Sequence, residues 1–257
     1  MQRVAVWRFG GATAALLLCG CALRRMEQTG IRSVTVPVAG ATTLVLDAGA
    51  GYLRVEGDSA TAEVAVTGIA RADSPITLNA IQFTTRRAAD TIFVSCTIPA
   101  SPNSPGPAPA LDVSVRLPLG MALSVLDSVG DATFHNVGAL RLVHGDGSLD
   151  VDSVAGDLDI HDGDGDMVIG NVNGDVHIID GAGSIHVNGV RGSVVIPRDG
   201  SGEIHLGDIT GDVTVGTKQS GEVAVREVGG HLAITANGSG SVEYYNVRGR
   251  VSIPAGR

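Results

Sequence analysis

His186 and His205 stand nineteen residues apart, with Glu203 two residues before the second. In a chain that repeats at that period, the two imidazoles stack on adjacent rungs about 5 Å apart, and with Glu203 they offer nitrogen and oxygen ligands to zinc or copper, although the set is one strong ligand short. Asp162, Asp164 and Asp166 alternate with glycine, as aspartates do in calcium loops. The EF-hand pattern fails, because Met167 takes the place of its glycine and Asn173 that of its bidentate glutamate. The nonapeptide calcium roll fits only in part, since it has paired turn glycines and one aliphatic per nine residues where this chain has single glycines and two aliphatics. The three aspartates belong to a run of ten between Arg141 and Arg191 with no Lys, Arg or Glu among them. A single-sign patch of this kind is expected to attract calcium weakly, and its aspartates otherwise suit turns. Asp157 and Asp159 could pair as acid and base of a polysaccharide-acting enzyme, being roughly 6.5–7 Å apart on a strand, but every acidic strand offers that spacing. No Ser-His-Asp order, phosphate-binding glycine loop or Cys-His cluster stands out. The expectation is a non-enzyme without a cofactor, with a calcium-dependent binding module or a glycan-cleaving enzyme as the alternatives.

Cysteine chemistry points to location. Arg3 and Arg8 precede a short apolar stretch from Gly10 to Leu18, the plan of a secretory signal and too short to span a bilayer. It ends Leu18-Cys19-Gly20-Cys21, which resembles the lipobox of bacterial lipoproteins with Cys21 as the acylated residue. Cys19 fits less well because Leu18 would fill the small-residue slot, and an ordinary secretory signal remains the other reading. By analogy with known sorting, Ala22 after Cys21 favours the outer membrane over the inner. Cys96 lies in a β-branched stretch from Thr91 with no histidine beside it in sequence, as a core residue would. Removal of residues 1–20 leaves 16 basic and 27 acidic side chains, a formal net charge of −11. With Lys218 the only lysine, nucleic acid is a poor partner. The expected partners are the membrane, through the N-terminal lipid, and an unidentified envelope protein or glycan.

The elements that must position these residues follow from the glycines. They recur at 147, 156, 165, 174, 183, 192, 202, 211, 221, 230, 240 and 249, each followed by a polar, aliphatic, variable, aliphatic sequence such as Gly211-Asp212-Val213-Thr214-Val215. Two such halves make one repeat, because only the first half places an aliphatic seven residues after its glycine: Val154, Val172, Val190, Ile209, Val228 and Val247. The second half has Gly163, Gly181, Asp199, Lys218, Asn237 and Gly256 there, which reads as an open polar turn. Of 30 inward positions in six repeats, 29 are Val, Ile, Leu or Met and the other is Tyr244. The pattern predicts an all-β, right-handed parallel β-solenoid with coils of 18–19 residues.

Upstream, Gly130-Asp131-Ala132-Thr133-Phe134 and Gly138-Ala139-Leu140-Arg141-Leu142 read as a degenerate preceding coil, and Gly51-Tyr52-Leu53-Arg54-Val55 has the same form. Strands near 61–70, 79–86, 90–98 and 111–117 read as an antiparallel excursion capping the solenoid, interrupted by a proline-rich loop at 99–110. The expected organisation is a signal at 1–20, a tether at 21–32, an N-terminal β region with the first coil at 33–129, and solenoid repeats at 130–257. Over residues 33–254, through units such as Gly174-Asp175-Val176-His177-Ile178, the chain resembles the bacterial adhesin-type family of β-strand-repeat envelope proteins, whose domain has no assigned function. The resemblance implies a β-helical surface or periplasmic protein without catalytic apparatus, and it carries over no functional residues.

Overall fold

The computed structural model describes residues 27–100 and 107–254. The expected export signal, Cys21 and the first half of the expected tether lie outside the described residues, as does the middle of the proline-rich loop. The chain begins with β1 (Gln28–Pro37), β2 (Thr43–Ala50), β3 (Leu53–Asp58) and β4 (Glu63–Ala72). It passes through the short helix α1 (Pro75–Ala80) to β5 (Gln82–Ala88), β6 (Thr91–Thr97), β7 (Ala110–Pro118) and β8 (Ala122–Val129). Fourteen strands follow: β9 (Ala132–Val137), β10 (Leu140–Val143), β11 (Leu149–Val154), β12 (Leu158–His161), β13 (Met167–Val172), β14 (Val176–Ile179), β15 (Ile185–Val190), β16 (Val194–Ser201), β17 (Ile204–Ile209), β18 (Val213–Ser220), β19 (Val223–Val228), β20 (Leu232–Ser239), β21 (Val242–Val247) and β22 (Val251–Ser252).

From β9 onward the odd strands build one parallel sheet, sheet A, and the even strands build its facing partner, sheet B. Each coil therefore gives one strand to each layer, which is the expected parallel solenoid. Aliphatics stack in register: Val151 pairs with Ile169, then Val187, Leu206 and Val225. In the five coils that begin at Gly147, Gly165, Gly183, Gly202 and Gly221, every predicted inward residue is buried. Each such side chain contributes on the order of 1.5–3 kcal/mol, so the core stands without disulfides or many aromatics. The period changes from 18 to 19 residues inside β16, where His177 pairs with Val195 but Ile179 pairs with Arg198. Pro197 sits at this irregularity, where its missing N–H costs the ladder least.

Two devices turn the chain. The glycines that open β9, β11, β13, β15, β17 and β19 have a left-handed φ and almost touch the preceding coil: Gly202 has φ +135°, and a Cβ there would lie 1.8 Å from the Gly183 carbonyl oxygen. At the other end of the sheet A strands, Asn136, Ser153, Asn171, Asp208, Glu227 and Asn246 adopt φ between 53° and 61° just before the apolar corner residue. Asn and Asp tolerate that region best, which accounts for the polar column.

The strands of the N-terminal excursion pair antiparallel as expected, β4 with β7 and β5 with β6, and two of them also join the solenoid. β6 pairs parallel with β2, and β7 pairs parallel with β3, so both continue the solenoid sheets. Antiparallel pairing is confined to β1 with β4, β4 with β7, and β5 with β6. Alternation fixes which side chains face inward but not the direction of the neighbouring strand; here each crossing between the two sheets restores the same direction. The strand expected at 79–86 is divided, because Ser74 accepts the Thr77 N–H at 3.1 Å and Pro75 starts α1. Arg32 then holds the helix end through the carbonyls of Ile81 (2.8 Å) and Leu78 (2.6 Å). Residues 28–32, read as tether, are the first half of β1.

Candidate functional site

Outward positions on sheet A fall three and five residues after each opening glycine, and over β13 to β21 they form an open groove of about 500 Å³. Its floor is low because Gly207 and Ala224 occupy outward positions on β17 and β19. A Cβ on Gly207 would lie 2.8 Å from Asn188 Oδ1 and 3.2 Å from Arg226 Nε, so the missing side chain is what lets those polar groups lean across the rung. His186 and His205 form one wall, their rings stacked at 4.6 Å with 25° between planes. Arg226, Glu243, Tyr244 and Tyr245 close the C-terminal end. Tyr245 is 73% exposed and presents a flat ring with a polar tip.

The stacking expected of His186 and His205 is present, but the three predicted metal ligands do not converge. The Glu203 carboxylate accepts a hydrogen bond from His205 Nε2 at 3.1 Å, and stacked rings point their nitrogens side by side instead of at a common centre. Among the described residues, the set of three ligand atoms that do approach one another within 4.8 Å belongs to Asp159, His161 and His177 on sheet B. The calcium trio is also separated. Asp162 is buried, whereas Asp164 and Asp166 are exposed, because the chain turns a corner at Gly163 and Gly165 instead of continuing as a strand. Asp166 accepts the Ser184 N–H at 2.9 Å.

The aspartate after the sheet B glycine has a structural task. Asp157 accepts the backbone N–H of Asp175 at 3.0 Å, Asp175 that of Ser193 at 2.8 Å, and Asp212 that of His231 at 2.7 Å. Asp157 is thus a clamp between coils. Cys96 is buried, and burial first, then the charges of Asp47 and Asp127, push its thiol up to about 12. Such a thiol is inert, in keeping with a core residue.

The corner read as an open polar turn is closed. Asp127, His144, Asp162, Asp180, Asp199 and Lys218 line up one per coil inside the solenoid, none more than 9% exposed. They survive burial by pairing along the axis. His144 Nδ1 lies 2.7 Å from Asp162, and its Nε2 lies 2.9 Å from the Gly130 carbonyl and 3.6 Å from Asp127. Burial alone would depress the imidazole, but the bonds to Asp162 and Gly130 and the two carboxylate charges raise it. Lys218 binds Asp199 and donates to the Gly202 carbonyl at 2.7 Å. Asp180, between the two pairs, has neither a basic partner nor a hydrogen bond to its two buried carboxylate oxygens, and burial first, then the neighbouring Asp199 and Asp162 carboxylates, push it up to about 8. It is therefore protonated at neutral pH. The sequence signal was available: His144, Asp162 and Asp180 each stand three residues before an opening glycine, at the coil period.

No protein-family model and no curated protein sequence matches the chain. Solved structures resemble it at low identity. A putative cell adhesion protein from Clostridium sporogenes is 14% identical over 88% of this chain and 99% of its own, with a TM-score of 0.38. A putative adhesin from Parabacteroides merdae is 12% identical over 87% and 96%, with a TM-score of 0.43. A putative lipid binding protein from Parabacteroides distasonis is 9% identical over 87% and 97%, with a TM-score of 0.40. At these values the function has to be argued from the chain's own residues. Among the described residues, no helix is long and apolar enough to cross a membrane.

Proposed function

We propose that the chain is a non-catalytic, adhesin-like binding protein of the bacterial cell envelope, lipidated at Cys21 and facing its partner with the sheet A groove. The observation that carries this reading is the groove itself, open along the rungs and lined by His186, His205, Arg226, Glu243 and Tyr245. Flat rings that can lie against a sugar face, beside a cation, a carboxylate and the Asn188 amide, suit a linear glycan better than a compact metabolite, which needs an enclosing pocket. An envelope protein is the second occupant such a surface could take. The outer membrane is the proposed location, on the lipobox and Ala22.

Photo-crosslinking in intact cells tests the reading. A crosslinker at Tyr245 should capture a specific envelope glycan, and one at Thr214, on the outer face of sheet B, should not. Equal capture from both faces would remove the groove from the account. Turnover of a polysaccharide by the purified chain, lost on changing Asp157 or Asp159, would replace binding with catalysis. Mass spectrometry of the natural N-terminus checks the anchor, with diacylglyceryl-modified Cys21 as the expected result and an unmodified Cys21 as the result against it.

A further inference from the structure

On the outer face of sheet B, β12 and β14 bring together three side chains that no enzyme-like motif marks. Asp159 and His161 lie two apart on β12 and so share its outward face, while His177 is the register partner of Asp159 on the next coil. One oxygen, Asp159 Oδ1, lies 3.1 Å from His177 Nδ1 and 3.8 Å from His161 Nε2. All three donor atoms are within 4.8 Å of one another. A tetrahedral ion with bonds of about 2.0–2.2 Å sets its ligand atoms about 3.3 Å apart, so small side-chain rotations suffice to close the set. The backbone needs no movement, because Leu158, Ile160, Val176 and Ile178 beneath are fully buried and hold the register.

The surroundings favour the same use. Arg141, on β10, approaches the other oxygen of Asp159, with Nε 3.7 Å from Oδ2, which orients the carboxylate and leaves Oδ1 toward the histidines. The three side chains are each about 40% exposed, so solvent can complete the coordination. Two imidazoles and one carboxylate suit zinc, copper or nickel and are a poor set for calcium, which takes oxygen ligands.

We infer that Asp159, His161 and His177 form a surface binding site for a divalent late transition-metal ion, on the face opposite the sheet A groove. The site is independent of the glycan reading, and either can fail without the other. The test is titration of the untagged, detergent-solubilised full chain with Zn²⁺ and with Cu²⁺ by calorimetry, with the spin-resonance spectrum of the Cu²⁺ form recorded. We expect one saturable ion per chain, copper bound more tightly than zinc, and nitrogen couplings in the copper spectrum. His161→Ala and His177→Ala should each weaken binding at least tenfold, and the His186→Ala/His205→Ala double variant should bind as the parent does. All four histidines lie on the outer faces of the sheets, and circular dichroism verifies that the variants are folded. Unchanged binding in a His161→Ala/His177→Ala variant, loss confined to the His186/His205 variant, or no saturable binding of either ion would each overturn the assignment.

Discussion

At the N-terminal end, β1 and β5 run antiparallel to their neighbours, α1 packs against β1 and β4, and Ile81 is fully buried. At the C-terminal end, β21 and β22 carry the same aliphatic pattern as the coils before them, yet Val242, Val247, Val251 and Ile253 are only half-buried and Tyr244 is 53% exposed. The difference lies in neighbours, not in composition. Val213, Leu232 and Val251 occupy one repeat position on successive coils, and among the described residues only the last lacks a rung above it. An inward residue of a solenoid is worth what the next coil makes it worth, and stability is close to a sum of nearest-neighbour terms.

The largest expected effect tests that statement directly. Val213→Asp places a charge between β16 and β20 and should cost more than about 4 kcal/mol, whereas Val251→Asp should cost less than about 1 kcal/mol. Urea denaturation measures both, and similar losses would show that the last coil is as well covered as the middle. At the capped end, Ile81→Ala should cost about 3 kcal/mol, against about 0.5 kcal/mol for Tyr244→Ala. A smaller effect comes from the interior ladder. Asp180 has an ordinary value of 3.8 raised to about 8, so the unfolded chain releases this proton first. Stability should therefore fall as pH rises between those values, with the full cost present above the higher one. Asp180→Asn should remove that slope and gain on the order of 1–3 kcal/mol at pH 8, with its amide bonding the adjacent carboxylates. Denaturation at pH 5, 7 and 9 checks the sign, and a steeper slope in the variant would refute the protonated ladder. Smallest of all, Thr214→Asp, beside Val213 but facing out, should change stability by less than about 0.5 kcal/mol.

The solenoid was legible because burial on it is periodic: a glycine every nine or ten residues and paired aliphatics leave no second way to fold the coils from Gly147 onward. The antiparallel excursion was legible, but that β6 and β7 also pair parallel with β2 and β3 was not, since alternation is the same whether a strand pairs parallel or antiparallel. The polar corner misled for a physical reason. A lone Asp or Lys in a turn reads as solvated, and only pairing along the axis, His144 with Asp162 and Lys218 with Asp199, makes its burial affordable. The histidine stack at 186 and 205 could be read from the column three residues after each glycine. The convergence at Asp159 and His177 needed His161 from the column two residues further on, and a metal reading made along single columns passes it by.

The cap has one more consequence, for reach. β1 is the outermost strand of sheet A at one end and β21 at the other, ten spacings away. At about 4.8 Å per spacing the first and last strands stand about 48 Å apart, and β13, where the groove begins, is already about 29 Å from β1. The first described strand, β1, thus lies at the far end of sheet A from the groove. The coils between act as a spacer that holds the groove clear of the capped end, and each added or deleted coil would lengthen or shorten that standoff by one spacing.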